Sequence, residues 1–118
     1  MKHIKSDSVK WDDREGYSKK IFFTEERLSH KGLRVQQLKI KPGETAKSHY
    51  HKKQTAVFYF LNNNGYFVVN GEKVNLGVGD LLVIEPMDKH EIINNTNEDF
   101  LYLAFKFDYE EGDSFWEK

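Results

Sequence analysis

The sequence predicts an all-β domain, an antiparallel sandwich or barrel, and three observations carry that reading. Apolar residues in the middle of the chain alternate with polar ones or run in short blocks, without a helical repeat. Turn residues interrupt them at near-regular intervals, as at Lys41-Pro42-Gly43, Asn62-Asn63-Asn64-Gly65, Asn70-Gly71 and Gly77-Val78-Gly79-Asp80. Nothing between these turns reads as the crossover helix that neighbouring parallel strands need.

The elements follow in order. Ile21-Phe22-Phe23-Thr24 reads as a short strand, and Leu33 to Ile40 as a second that closes at Pro42-Gly43. Ala46 to His51 is a third, followed by the polar connection Lys52-Lys53-Gln54-Thr55. Ala56 to Leu61 is an almost continuous apolar run, which predicts a central strand buried on both faces. Asn and Gly tolerate positive φ, so Asn62 to Gly65 turns the chain. Tyr66 to Val69 then pairs back with Glu72 to Leu76 across Asn70-Gly71, the strongest short hairpin signal in the sequence. Leu81 to Glu85 is apolar and ends at Pro86, and Lys89 to Asn94 extends again. Phe100 to Phe107 is the last strand, with Leu101, Leu103, Phe105 and Phe107 on one face.

Residues 1–20 are polar apart from Trp11 and Tyr17 and are expected to form an arm, with the barrel over 21–107. Residues 108–118 form an acidic tail whose Phe115-Trp116 is expected to fold back over an exposed apolar patch.

Composition narrows the function. A chain of 118 residues makes one domain that can bury a core. With no cysteine, disulfides, thiolate metal sites and cysteine nucleophiles are excluded. No apolar run reaches membrane-span length, and the start lacks the apolar core of a signal peptide, so a cytoplasmic protein is expected. Charge is balanced, 18 basic against 19 acidic residues, which argues against a nucleic-acid partner. Lys39, Lys41, Lys47, Lys52 and Lys53 cluster around the histidine segment. They read either as a solvated strand face or as a positive rim that draws in a small anion. No Ser or Thr sits in a nucleophile elbow.

The chemistry lies in His49-Tyr50-His51 and, far along the chain, His90. Residues two apart on a strand share a face, so His49 and His51 can aim at one point. A third imidazole from another strand would complete three neutral nitrogen ligands, a set that suits zinc, iron, copper or nickel. Tyr50 points the other way. Glu85, Asp88 and Glu91 flank His90, and one of them is a candidate to orient a ligand ring.

These residues resemble a small single-domain cupin, whose fold is an antiparallel jelly-roll β-barrel. The family's first motif runs Gly, five residues, His-x-His, a Glu and later a Gly; here Gly43, His49, His51 and Gly65 match. The second runs Gly, a buried strand, Pro, His and Asn; here Gly79, Pro86, His90 and Asn94 match. The resemblance covers roughly residues 33–107 and implies a divalent transition metal (Zn, Fe, Ni, Mn or Cu) on His49, His51 and His90. It departs in two places. The family's glutamate should fall at Thr55 or Ala56, and neither is a carboxylate, which leaves a three-His site with Gln54, Ala56 and Tyr59 near the vacant fourth position. Met87 replaces the glycine of the Pro-x-Gly turn, so that turn must be built differently.

A three-His centre keeps the ion's full positive charge and favours anionic or enolate-forming ligands. Some cupin dioxygenases bind iron in this way, so dioxygen chemistry is one implied activity. Two alternatives stand beside it: a metal-independent sugar isomerase or epimerase, with one histidine as base, and a non-catalytic small-molecule sensor. Small cupins commonly pair through an edge strand and the N-terminal arm, so a homodimer is expected, with Ile21-Phe22-Phe23 as the edge in need of cover.

Overall fold

In the computed structural model, which describes residues 1–117, two antiparallel sheets face each other around a single core. The strands are β1 (Asp12–Arg14), β2 (Tyr17–Phe23), β3 (Arg34–Ile40), β4 (Thr45–Tyr50), β5 (Thr55–Phe60) and β6 (Tyr66–Val69). They continue as β7 (Glu72–Val74), β8 (Leu81–Ile84), β9 (His90–Ile93), β10 (Phe100–Phe107) and β11 (Phe115–Trp116). One sheet has the order β1-β2-β3-β10-β5-β8 and the other β11-β4-β9-β6-β7. This is the antiparallel sandwich expected from the strand pattern, in the jelly-roll form that the cupin resemblance implies. An α-helical turn, α1 (Glu25–Leu28), joins β2 to β3, and among the described residues no helix is long and apolar enough to cross a membrane.

Period-two alternation decides what faces inward. Leu38 and Ile40 of β3, Ala56, Phe58 and Phe60 of β5, and Phe100, Tyr102 and Ala104 of β10 enter the core from the larger sheet. Ala46, Phe67 and Ile92 enter from the smaller one. Phe58, Phe60, Phe67, Phe100 and Tyr102 form one aromatic cluster, with neighbouring ring centroids 5.1 to 5.7 Å apart. It fills one end of the sandwich and leaves a cavity at the other. Gly65 lets the sheets close over it, because a Cβ there would lie 2.3 Å from the Phe100 ring.

Three expectations need correction. The apolar run of β5 is buried on one face only: Val57 and Tyr59 point outward, and Tyr59 is 40% exposed. (In β10, Leu101, Leu103, Phe105 and Phe107 do share one face, the outer one, while Phe100, Tyr102 and Ala104 take the core.) Residues 12–20, expected within an arm, form β1 and the first half of β2, paired from Asp12↔Lys19 to Arg14↔Tyr17. The tail carries β11, which pairs with β4 and stacks Phe115 on Tyr50 and Trp116 on His49, not over an apolar patch.

The predicted hairpin stands as read, with Asn70 and Gly71 both at positive φ between β6 and β7. Asn94 ties strand ends together. Its amide donates to the carbonyls of Ile40 and Glu98 and accepts from Thr96, while its backbone pairs with Gly43 and Glu44.

Candidate metal centre

His49 sits on β4 directly opposite His90 on β9. A one-residue bulge between Ala46 and His49 makes this possible. Plain alternation would put residues three apart on opposite faces, and the extra residue turns both inward. His51, two residues on, shares that face, and His90, Ile92 and Asn94 alternate inward from β9. The three rings converge, with centroids 4.1 Å apart for His49 and His90 and 5.4 Å for each pair with His51. Their metal-binding nitrogens lie within 4.8 Å of one another, so the structure places the three histidines to hold a metal ion.

Backbone carbonyls fix which nitrogen is free. His49 Nδ1 donates to the Lys47 carbonyl at 2.8 Å, His51 Nδ1 to Asp113 at 2.7 Å and His90 Nδ1 to Asp88 at 2.9 Å. A carbonyl only accepts, so each Nδ1 carries hydrogen and each Nε2 keeps its lone pair. The orienting groups are thus main-chain oxygens and not the carboxylates of Glu85, Asp88 or Glu91. Asp88 instead locks the turn, accepting from the Glu85 N–H and the Asn70 amide.

Burial keeps the rings neutral. It pushes His49 down to about 3, helped by His90, and His90 down to about 4, with His51 lowered for the same first reason. Neutral imidazoles are the form that binds metal.

The cavity beside them, about 120 Å³, is lined on the smaller sheet by the histidines, Ala46 and Ile92. On the larger sheet it is lined by Tyr17, Lys19, Arg34, Gln36, Leu38 and Lys106. Among the described residues, no carboxylate side chain lines it. Gln54 borders it, whereas Ala56 packs into the core and offers no donor atom, and Tyr59 lies on the outer face. Of the three candidates for the fourth position, only Gln54 reaches the site. Gly43, Gly65, Gly79 and Pro86 stand at turns or close approaches, outside the cavity.

The lysines flagged around the histidine segment serve elsewhere. Lys41, Lys47 and Lys53 pair with Asp13, Glu15 and Glu110, and Lys39 and Lys52 lie over the rings of Trp11 and Phe115. The cavity draws its positive charge from Lys19, Arg34 and Lys106. Strand parity was the available signal: counted from buried Phe100, every second residue of β10 faces inward, and Lys106 is one of them.

Asp113 is a further residue that sequence reading passed over. Its carboxylate accepts from the backbone N–H groups of Lys52, Lys53 and Gln54 at 2.9 to 3.1 Å, and its carbonyl holds His51. Burial acts to raise its pKa, but the three N–H bonds prevail and lower it. Gln36, only 3% exposed, leaves Oε1 without a hydrogen-bond partner. An orphan of this kind costs about 1–3 kcal/mol until a ligand or water meets it.

Known proteins share this frame. The chain is 28% identical over 81 residues, 69% of its length and 67% of the relative's, to a protein of Thermotoga maritima named oxalate-binding protein. A solved structure described as a predicted oxalate decarboxylase of Thermotoga maritima superposes with a TM-score of 0.81 at 21% identity, covering 90% of this chain and 98% of that one. A sugar phosphate isomerase of the cupin superfamily from Silicibacter pomeroyi superposes with a TM-score of 0.77 at 14% identity, covering 99% and 82%. The cupin domain family model matches residues 36–106, which span β3 to β10 and carry all three converging histidines, and the chain belongs to that family.

Proposed function

We propose that the protein is a metal-dependent cupin that binds, and in the presence of a co-reactant converts, a small anionic molecule. The observation that carries this is the convergence of three neutral imidazoles whose Nδ1–H groups are all committed to carbonyls, at the wall of a cavity without a carboxylate. His49, His51 and His90 would hold a divalent transition ion through Nε2, and the bound ion supplies Lewis acidity and exchangeable positions. The site's own groups then exclude bulk water and favour negative charge. The name of the Thermotoga maritima relative, an oxalate-binding protein, supports a small carboxylate as ligand.

A metal-independent isomerase has the superposition with a sugar phosphate isomerase in its favour. Against it, imidazoles pushed down to about 3 and about 4 are weak bases near neutral pH. The metal reading is therefore preferred.

Elemental analysis of protein prepared without a nickel column tests it. About one equivalent of a transition metal is expected per chain, lost in His49→Ala and His90→Ala. Because all three rings are held below the ordinary imidazole range, affinity for added zinc should change little between about pH 8 and about pH 6.5. Protein that neither contains nor takes up stoichiometric metal would sink the proposal.

A further inference from the structure

The larger sheet holds three cations against the same cavity. Arg34 on β3 and Lys106 on β10 are direct cross-strand partners, and Lys19 faces in from β2. Like charges placed opposite each other on adjacent strands destabilise a sheet unless something neutralises them. Nothing in the protein does so: none of the three joins an ion pair among the described residues, and no carboxylate lines the cavity. Arg34 and Lys106 instead lie over the ring of Tyr109, at 4.0 and 5.3 Å, a contact that attracts a cation but supplies no counter-charge. The next inward-facing pair along the two strands is Ala104 with Gln36, the residue whose buried Oε1 lacks a partner.

We infer that Arg34, Lys106 and Lys19 form a second anion-binding pole across the cavity from the three histidines, and that the ligand is a two-ended dianion. It is a short dicarboxylate with one carboxylate at the histidine centre and the other on the Arg34–Lys106 pair. A hydroxyl beside the second carboxylate donates to Gln36. The inference rests on the metal reading for the first end and on the larger sheet alone for the second.

Geometry sets the ligand's length. His49 and His90 belong to one sheet and the cations to the other, and packed sheets stand about 10 Å apart. The cavity's volume, about 120 Å³, suits a chain of about three to five carbons. Oxalate, with two carbons, is the short comparison ligand and on this inference binds at the histidine end alone. Lys106 supports the pole further. Burial, then Lys19 and Arg34, push its pKa down to about 7, the response of an ammonium that lacks a counter-ion.

Calorimetry on full-length protein loaded with one equivalent of zinc tests the pole, with acetate, oxalate, succinate and malate as probes. Malate and succinate should bind at least about tenfold tighter than acetate, malate the tighter of the two. Arg34→Gln and Lys106→Met should each remove that preference while oxalate affinity stays within about twofold. Lys19→Met serves as a third variant should Arg34→Gln fail to fold by circular dichroism. Succinate and malate binding that is unchanged in the variants would overturn the second pole, as would an equal loss for oxalate and the longer acids. Loss of zinc uptake in the wild-type chain would instead strike the metal reading, a separate failure.

Discussion

Met87 holds a backbone conformation that its side chain resists. It follows Pro86 at the third position of the turn Glu85-Pro86-Met87-Asp88, with φ +74°, where glycine or asparagine ordinarily sits. The absence of glycine suggested a turn of different build. The turn is instead retained, and Met87 bears the strain, its N–H donating to the His51 carbonyl at 2.7 Å. A left-handed residue with a Cβ costs about 1–2 kcal/mol, and glycine's extra freedom when unfolded returns about 0.5–1. Met87 is 57% exposed and has little packing to lose. Met87→Gly should therefore stabilise the protein by about 0.5–1 kcal/mol in denaturant melts, the reverse of the usual effect of glycine. Destabilisation would show that the side chain contributes contacts beyond those seen. At this scale the sequence was legible where spacing carried the signal: His49, His51 and His90 could be named because two motifs placed them. Lys106 was not, since a lysine within a strand reads as solvent-facing until the strand's inward parity is known.

At the scale of elements, the bulge in β4 and the short strand β11 decide whether the site is built. Alternation predicted that His49 and His51 share a face, but a bulge leaves no single-residue signature, so the reset that brings Ala46 and His49 to the same side was invisible. The tail was read from its acidity and its two aromatic residues. Its role depends on Asp113, which meets a loop some sixty positions earlier, and a contact so distant has no local signature. Asp113 replaces water for three N–H groups at the turn that leads from His51 into β5, while its carbonyl sets that imidazole's tautomer. Asp113→Ala should lower stability by about 1–3 kcal/mol, because it leaves those donors unmet. It should also weaken zinc binding by about tenfold through loss of the His51 turn. Asp113→Asn keeps the shape and one acceptor, and should recover part of both. Zinc affinity unchanged in Asp113→Ala would show that His51 is held without the tail.

At the scale of the whole molecule, the outer face of the larger sheet is apolar from β8 to β3, and residues 6–11 reach only its β2–β3 side, at Lys20 and Lys39. Val83 of β8, Val57 of β5, Phe105 of β10, Val35 of β3 and Phe23 of β2 are successive cross-strand partners, which makes an apolar row across five strands. Leu81, Tyr59 and Leu103 form a second row beside it, with Leu81 65% and Val83 51% exposed. An apolar face this continuous marks an interaction surface. It also explains the sequence of β5 and β10: an apolar run on both sides anticipated a strand buried twice, and the second burial requires a partner. We propose that its occupant is a second copy of the chain, since a two-fold axis through the sheet would set each apolar row against its equivalent. On that proposal the expected homodimer would form through the sheet face in place of the edge strand, and the cavity, on the opposite side of the sheet, would stay open in both copies. Sedimentation should give a mass near twice the 14.0 kDa of one chain at micromolar concentration. Val83→Glu with Leu81→Lys should reduce it to one chain while zinc uptake persists, because neither residue borders the cavity. A wild-type chain that sediments as a monomer would mean that the apolar row serves some other partner. A double variant that remains dimeric would return the interface to the edge at β2, where the Ile21-Phe23 segment extends past the cover of β1.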